Sequence, residues 1–291
     1  MKTLKGAHIV KVAYLGPKGT FSEEAAYRYF SSQKPEWQMC ETIFDVLEAV
    51  QKSNVDKGIV PIENTIEGTI NVTIDGLLSQ GLHIEGELIL PIAMHLLGNE
   101  GTRASEIEEI WSIPPALAQC QECIHELNAE VKHFNSTASA AQAVSESGRS
   151  DVAAIASQWA AEVFDLIPLK SNIQDNLVNH TRFIVLTKEQ QEVEQATKSM
   201  LVISPGEERP GVLSVILNVF SSLAINLTWI ESRPTKKKLG TYRFFVEAEL
   251  GAEEVNMQKA ITILETLGHD VKVLGSYYTT KLTENRPSGK F

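Results

Sequence analysis

The strongest constraint on this fold is a rhythm. Over the first two thirds of the chain, short apolar runs alternate with stretches of helical periodicity. Ile9-Val10-Lys11-Val12-Ala13-Tyr14 reads as a strand and residues 21–30 as a helix. Further strands fall over 58–60, 88–97, within 107–113, and over 131–134, 152–156 and 183–186. Helical patterns over 70–78, 116–127, 138–147 and 158–164 lie between them. Alternation of this kind predicts an α/β fold, with helices packed on a mainly parallel sheet. The strands form two clusters, which predicts two lobes with a cleft between them.

The rhythm changes after a polar stretch. Residues 188–199 carry few apolar side chains and read as a linker between a first unit over 8–187 and a second over 200–279. The second unit reads strand (200–203), helix (211–222), strand (226–231), strand (242–249), helix (254–267), strand (271–277). That β-α-β-β-α-β order is the split βαβ, or ferredoxin-like, plan.

Composition excludes several functions. The net charge of −11 leaves no basic face to neutralise phosphates, so nucleic acid is not an expected partner. The one basic run, Lys236-Lys237-Lys238, sits beside Gly240 and reads as a solvated loop. No apolar run approaches the roughly 18 residues of a membrane span, so no membrane association is expected. The N-terminal residues are short, charged and mixed, unlike a secretory signal. Three cysteines fit a reducing compartment, and a cytoplasmic location is expected. Cys120 and Cys123 form a lone Cys-x-x-Cys with no second pair, so they read as helix residues and no metal is expected. Glycine-rich nucleotide loops, a Gly-x-Ser-x-Gly elbow and His-Glu-x-x-His are all missing from the sequence, so no cofactor is expected.

What remains is a set of strand-to-helix turns rich in small polar residues. Tyr14-Leu15 runs into Gly16-Pro17-Lys18-Gly19-Thr20, where Thr20 and Glu23 have capping-box spacing. Ile59-Val60 runs into Pro61-Ile62-Glu63-Asn64-Thr65, residues 131–134 into Asn135-Ser136-Thr137, and 153–156 into Ser157. In an open α/β sheet these turns lie at the carboxyl ends of the strands, where ligands bind. Helix N-termini there present unpaired N–H groups and partial positive charge, which suits a small carboxylate. Each Ser, Thr or Asn is equally readable as a plain helix cap. Asn176-Leu177-Val178-Asn179-His180-Thr181-Arg182-Phe183 adds amide, imidazole, hydroxyl and guanidinium groups at the entry to a strand, and a plain edge strand would explain it as well.

Read as motifs, these segments resemble the prephenate dehydratases. Tyr14 to Ser22 is similar to the opening signature of that family, and Val60 to Thr65 with Glu67-Gly68 to its second. Ala116-Leu117-Ala118-Gln119-Cys120 and Ser136-Thr137-Ala138 resemble two more, and Thr181-Arg182-Phe183 resembles the motif that marks the catalytic threonine. Arg209-Pro210-Gly211-Val212-Leu213 and Glu231-Ser232-Arg233-Pro234 are similar to the two motifs of the regulatory ACT domain. Two places depart from the pattern. Ile113-Pro114-Pro115 stands where the family has His-Pro-Gln, and Val212 stands where the family has Ala.

The resemblance implies a periplasmic-binding-protein-like, two-lobed catalytic unit and a ferredoxin-like ACT domain. It implies loss of carbon dioxide and water from prephenate to give phenylpyruvate. Thr181 would be catalytic, and Thr20, Asn64, Gln119, Thr137, Arg182 and Phe183 would bind substrate. Neighbours on a strand face opposite ways, so a Thr181 aimed into the cleft turns Arg182 away unless the segment is still loop there. Phenylalanine would bind as a feedback effector at Gly211, Val212, Leu213, Asn226, Leu227, Glu231, Ser232, Arg233 and Pro234. The chain would assemble as a homodimer or homotetramer. Two rivals remain: a carboxylate-binding module without chemistry, and the same reaction on arogenate, whose ammonium would call for a carboxylate such as Glu63.

Overall fold

The computed structural model describes residues 9–176, 178–191, 193–207, 209–236, 238–280 and 282. The stretch before Ile9, Leu177 and Lys237, all used in the sequence reading, lie outside the described residues.

The chain builds its first lobe from β1 (Lys11–Leu15), α1 (Phe21–Tyr29), β2 (Glu36–Cys40), α2 (Ile43–Gln51), β3 (Lys57–Asn64), β4 (Gly68–Thr69), α3 (Asn71–Gln80) and β5 (His83–Pro91). It then crosses to a second lobe. That lobe holds β6 (His95–Gly98), β7 (Glu109–Ser112), α4 (Pro114–Ala118), α5 (Gln121–Leu127), β8 (Glu130–His133), α6 (Thr137–Ser147), β9 (Val152–Ala156), α7 (Gln158–Val163) and β10 (Ile167–Lys170). The chain returns to the first lobe as β11 (His180–Thr187).

The run over 88–97 is therefore two strands in two sheets, parted where the chain changes lobe. The sheets are mixed rather than mainly parallel. β1 runs parallel to β2 and β3, but the returning β11 lies antiparallel between β3 and β5. In the second lobe β7 is parallel to β8 and β9, while β6 is antiparallel to β9 and β10. The reason is topological. A strand that comes back from the other lobe enters the sheet from the opposite end.

The C-terminal segment folds as β12 (Lys198–Ser204), α8 (Val212–Ser222), β13 (Leu227–Pro234), β14 (Tyr242–Ala248), α9 (Val255–Thr266) and β15 (Asp270–Tyr277), in the expected βαββαβ order. A short β16 (Thr279–Thr280) follows and pairs with β5. β12 already begins at Lys198, two residues inside the stretch read as linker, and Ser199 is fully buried.

β15 joins the first lobe's sheet by pairing with β5 at Gly275↔Ile84, so one sheet runs β13-β14-β12-β15-β5-β11-β3-β1-β2. Its two faces bury different cores. One face packs Val12, Tyr14, Leu88, Leu90 and Phe183 together with Ile110 and Ile155 of the second lobe. The opposite face packs Ile62, Ile184 and helices α2 and α3 against Met200, Val202, Phe245 and Tyr277. Helices α8 and α9 cover the outer face of the C-terminal strands through Ile216, Phe220, Met257 and Leu264.

Candidate active site

Four strand ends carry the candidate residues, and the structure brings them to the seam between the lobes. Thr181 lies on β11 opposite Asn64 of β3. The side chain of Asn64 is fixed from both ends. Its Oδ1 accepts the Ile66 N–H at 2.9 Å and the Glu67 N–H at 3.1 Å. Its Nδ2 donates to Thr181 Oγ1 at 2.9 Å, to Asn179 Oδ1 at 2.9 Å and to the His180 carbonyl at 3.2 Å. β3 leads into a hairpin with β4 rather than into a helix, and this turn supplies the two N–H groups.

Asn179 is the link to the second lobe. Its Nδ2 donates to Gln119 Oε1 at 2.9 Å. The stretch read as one helix over 116–127 is broken at this point, with Gln119 as the C-cap of α4. The break is imposed from outside. The Asp175 N–H donates to the Gln119 carbonyl at 2.7 Å, and the Asp175 carboxylate accepts the Gln121 and Glu122 N–H groups that open α5. A polar chain thus runs Gln119–Asn179–Asn64–Thr181 across the seam.

This chain fixes what Thr181 can do. A threonine hydroxyl has one proton to donate. Because Oγ1 accepts from Asn64, that proton is directed elsewhere, and among the described residues none accepts it. Thr181 is half-buried, so the hydroxyl is reachable. Gln119 likewise uses its side-chain oxygen on Asn179.

Thr20 and Thr137 stand at a second part of the seam. Thr20 caps α1, accepting the Glu23 N–H at 3.2 Å, and donates its proton to the Leu15 carbonyl at 3.2 Å. The capping box is half made, because the Glu23 carboxylate goes elsewhere. Its Oε1 accepts from Tyr14 Oη at 2.9 Å, and its Oε2 from the Gly19 N–H at 2.7 Å and Trp159 Nε1 at 2.8 Å. Burial first, then the charge of Glu23, pushes the Tyr14 phenol up, so it remains a donor. Trp159 belongs to the second lobe, so Glu23 ties the lobes together. Ser157, the cap of α7, donates to the Gly19 carbonyl at 3.4 Å. Gly19 has φ +81°, and a Cβ there would stand 2.6 Å from Phe164 and 3.4 Å from Ala138. Ser136 caps α6 with a complete box to Ser139, leaving Thr137 buried as its first residue. Three helix N-termini therefore meet the seam.

Two expected substrate contacts are corrected. Phe183 is 1% exposed in the core with Leu88 and Val185, so no ligand reaches it. Arg182 turns to the other face of β11. There its guanidinium meets Glu247, Glu87 at 3.2 Å and, through Nε, Glu63 at 3.2 Å. Strand alternation turns Arg182 away, because the segment is already strand at His180, whereas Phe183 shares the face of Thr181 but lies deeper, inside the packed core. Glu63 is engaged on that same face and does not line the seam.

The expected effector residues split between two sides. Gly211 opens α8 with φ +83°, Val212 is buried, and Leu213 packs on the C-terminal core. Asn226 donates to Glu249 at 2.7 Å, and Leu227 begins β13. Along β13, Ser232 and Pro234 are exposed, whereas Glu231 and Arg233 turn to the first lobe. Glu231 accepts from Thr69 Oγ1 at 2.9 Å, and Arg233 grips both Asp75 oxygens at 3.1 Å and Asn71 at 2.8 Å. The same alternation sets this division along β13. Arg233 holds the Asp75 carboxyl below its ordinary value against the opposing effect of burial. Lys236 of the basic run also reaches Asp75, at 2.9 Å.

Trp159 was not singled out in the sequence, Glu23 was read only as the capping-box partner of Thr20, and Asn179 only as part of the polar segment 176–183. Asn179 had a signal, its place two residues before Thr181, but its use emerges only from the crossing of the chain between lobes.

Known proteins resemble this chain in sequence and fold. A family model described as prephenate dehydratase matches residues 12–191. The prephenate dehydratase of Bacillus subtilis is 36% identical over 286 residues, covering 94% of this chain and 100% of that protein. The crystal structure of the Staphylococcus aureus prephenate dehydratase superposes with a TM-score of 0.84 at 40% identity, covering 92% of this chain and 99% of that one. The Arthrobacter aurescens prephenate dehydratase, solved in complex with L-Phe, gives 0.83 at 33% identity, covering 92% and 90%.

Proposed function

This chain belongs to the prephenate dehydratase family, and from that premise we propose that the Thr181 hydroxyl is the hydrogen-bond donor to the oxygen that leaves prephenate as hydroxide, which solvent then protonates to water. The reaction expels carbon dioxide and water and forms an aromatic ring, so the product supplies the driving force. The protein must hold a dianion and stabilise the oxygen that departs with negative charge. A positioned donor aimed at that oxygen lowers the barrier. A hydroxyl is a weak acid, so its placement matters more than its pKa.

One observation carries the reading: Asn64, locked by two backbone N–H groups, donates to Thr181 Oγ1 and leaves the threonine proton for the substrate. Gln119 would orient a substrate oxygen with its amide N–H groups. The N-termini of α1, α6 and α7 would face the carboxylates, with Thr137 among them. Thr20 would contribute as a cap of the loop rather than as a donor, since its proton is held by Leu15.

Thr181→Val tests this. The expected result is a fall in kcat of about 100- to 1000-fold, as for loss of one positioned transition-state donor, with KM changed only a few-fold. A folded variant with near-wild-type kcat would remove Thr181 from the mechanism.

Prephenate is favoured over arogenate because the carboxylate expected to meet an ammonium, Glu63, is held by Arg182 on the opposite face. Comparing kcat/KM on the two substrates decides the matter. The C-terminal unit over 200–279 would act as an ACT domain that binds phenylalanine and lowers activity. An L-Phe complex of a relative supports this. β13 ends the long sheet with an open edge and carries exposed Ile230. Such an edge favours pairing with a second copy of the chain, in a homodimer or homotetramer. The three buried, unpaired cysteines fit a cytoplasmic enzyme. Among the described residues no helix is long and apolar enough to cross a membrane.

A further inference from the structure

The residue next to the proposed donor is the centre of a buried ionic cluster, most of which is supplied by the C-terminal unit. Arg182 is 8% exposed, Glu87 is 0% and Glu247 is 1%. Glu247, on β14, bonds Arg182 directly and also accepts from Thr228 Oγ1 at 2.6 Å, Tyr277 Oη at 2.8 Å and Lys198 Nζ at 3.5 Å. Glu87, on β5, accepts from Lys198 Nζ at 2.9 Å and Thr279 Oγ1 at 2.6 Å besides Arg182. Trp229 of β13 lies under the guanidinium, 5.5 Å from its carbon to the ring centre. Thus six residues after 197 close around a side chain of the strand that carries Thr181.

A cluster like this is weak evidence for stability, because desolvating the charges offsets much of their attraction. Its position says more. The β11–β3 pairing shifts register between Arg182 and Phe183, one residue beyond the Thr181–Asn64 pair. Such an irregularity re-aims the side chains beside it and needs something to hold it. The extra residue is Ile62 on β3, Arg182 stands opposite Glu63 beside it, and Glu247 is the nearest carboxylate to Arg182. Burial opposes the guanidinium charge, but Glu247, Glu87 and Glu63 outweigh it, so Arg182 stays charged and keeps its grip.

We propose that Glu247 of the C-terminal unit is a positioning residue for the dehydratase reaction: through Arg182 it fixes the register of β3 against β11 at this irregularity, and so the angle at which Asn64 meets Thr181 and the substrate. Glu247 does not touch substrate. The catalytic geometry is completed by a residue of the unit otherwise assigned to sensing, which gives that unit a direct hold on the reacting hydroxyl. This rests on the reading of Thr181 as the donor.

The test uses the full chain with three variants: Thr181→Val, Glu247→Gln, and the charge-free pair Arg182→Met with Glu247→Leu. A positioning role predicts that Glu247→Gln lowers kcat by about 10- to 100-fold per folded chain with KM within about threefold, as misplacement of a reacting group does. The charge-free pair removes the excess positive charge that Glu247→Gln leaves buried beside Glu87, so its melting temperature recovers relative to Glu247→Gln while its kcat remains low. Two results overturn the proposal: a kcat for Glu247→Gln within about twofold of wild type, or a charge-free pair whose kcat recovers together with its melting temperature. Thr181→Val separates the two claims. If it retains activity the donor reading falls; if it is inactive while Glu247→Gln turns over normally, only the positioning role falls.

Discussion

The join between β15 and β5 rests on one residue without a side chain, and Gly275→Ala should split it. A Cβ at Gly275 would stand 2.1 Å from the Ile84 carbonyl oxygen, 2.8 Å from Ile84 Cβ and 2.9 Å from the Ile84 carbonyl carbon. Two of these are backbone atoms, and no flexible side-chain end is there to yield. β5 is also pinned on its far side by eight paired residues of β11. The strands must therefore part. Overpacking of a dry site costs about 1–3 kcal/mol, and each backbone group left without a partner there adds about 1–3 kcal/mol. A total near 3 kcal/mol is a fair working value.

The melting temperature then reports how the chain unfolds. With about 2.1 cal/mol/K per residue, all 291 residues unfolding as one unit carry an entropy of about 0.6 kcal/mol/K, so 3 kcal/mol moves the transition by about 5 °C. If instead the C-terminal unit, about 80 residues, melts alone, its own transition falls by about 18 °C and the rest of the chain melts where it did. Scanning calorimetry of wild type and Gly275→Ala distinguishes these patterns. A single unshifted transition, within about 1 °C of wild type, would refute the reasoning, because it would mean the sheet absorbs a methyl group at its narrowest point.

Further predictions concern the lobes and the ionic cluster. Glu23→Ala removes the acceptor shared by Tyr14, Gly19 and Trp159, so KM for prephenate should rise about tenfold or more; Glu23→Gln, which can still accept from Gly19 and Trp159, should recover most of it. Steady-state kinetics on both variants checks this, and equal losses would show that charge rather than lobe tethering matters. Burial pushes the Glu247 carboxyl up, but Arg182, Thr228, Lys198 and Tyr277 together hold it below its ordinary value. A carboxylate lowered in the folded state contributes stability above the unfolded value of about 4.3, and that contribution fades as pH falls through the folded value. The melting-temperature advantage of wild type over Glu247→Gln should thus be constant near neutrality and shrink below about pH 4.

Much of this architecture was legible because buried strands announce themselves. The run Val152–Ala156 is apolar throughout, flanked by polar residues, and every one of its residues is buried. β2 escaped notice because it is an edge strand with only Cys40 buried, and its Glu36-Trp37-Gln38-Met39-Cys40 sequence shows no apolar run. The following α2 was missed with it, despite a complete capping box at Thr42 and Asp45. β10 contains Pro168, which argues against a strand by itself and is tolerated here on an edge. The break after Gln119 had no local breaker, since Asp175, more than fifty residues away, imposes it. The same division holds for the site. Thr181 and Asn64 could be named from their motifs, whereas the role of Glu247 depends on a pairing across 65 residues.

The two passages between the lobes run side by side. His180 pairs with Pro91, and the Ile92 N–H donates to the Asn179 carbonyl at 2.8 Å. Any rotation of one lobe against the other turns about this short double span as a door turns on its hinge pin. Displacement is angle times radius, so Thr181, one residue past the pin, stays almost still while Thr137 and Ser157 sweep through an arc.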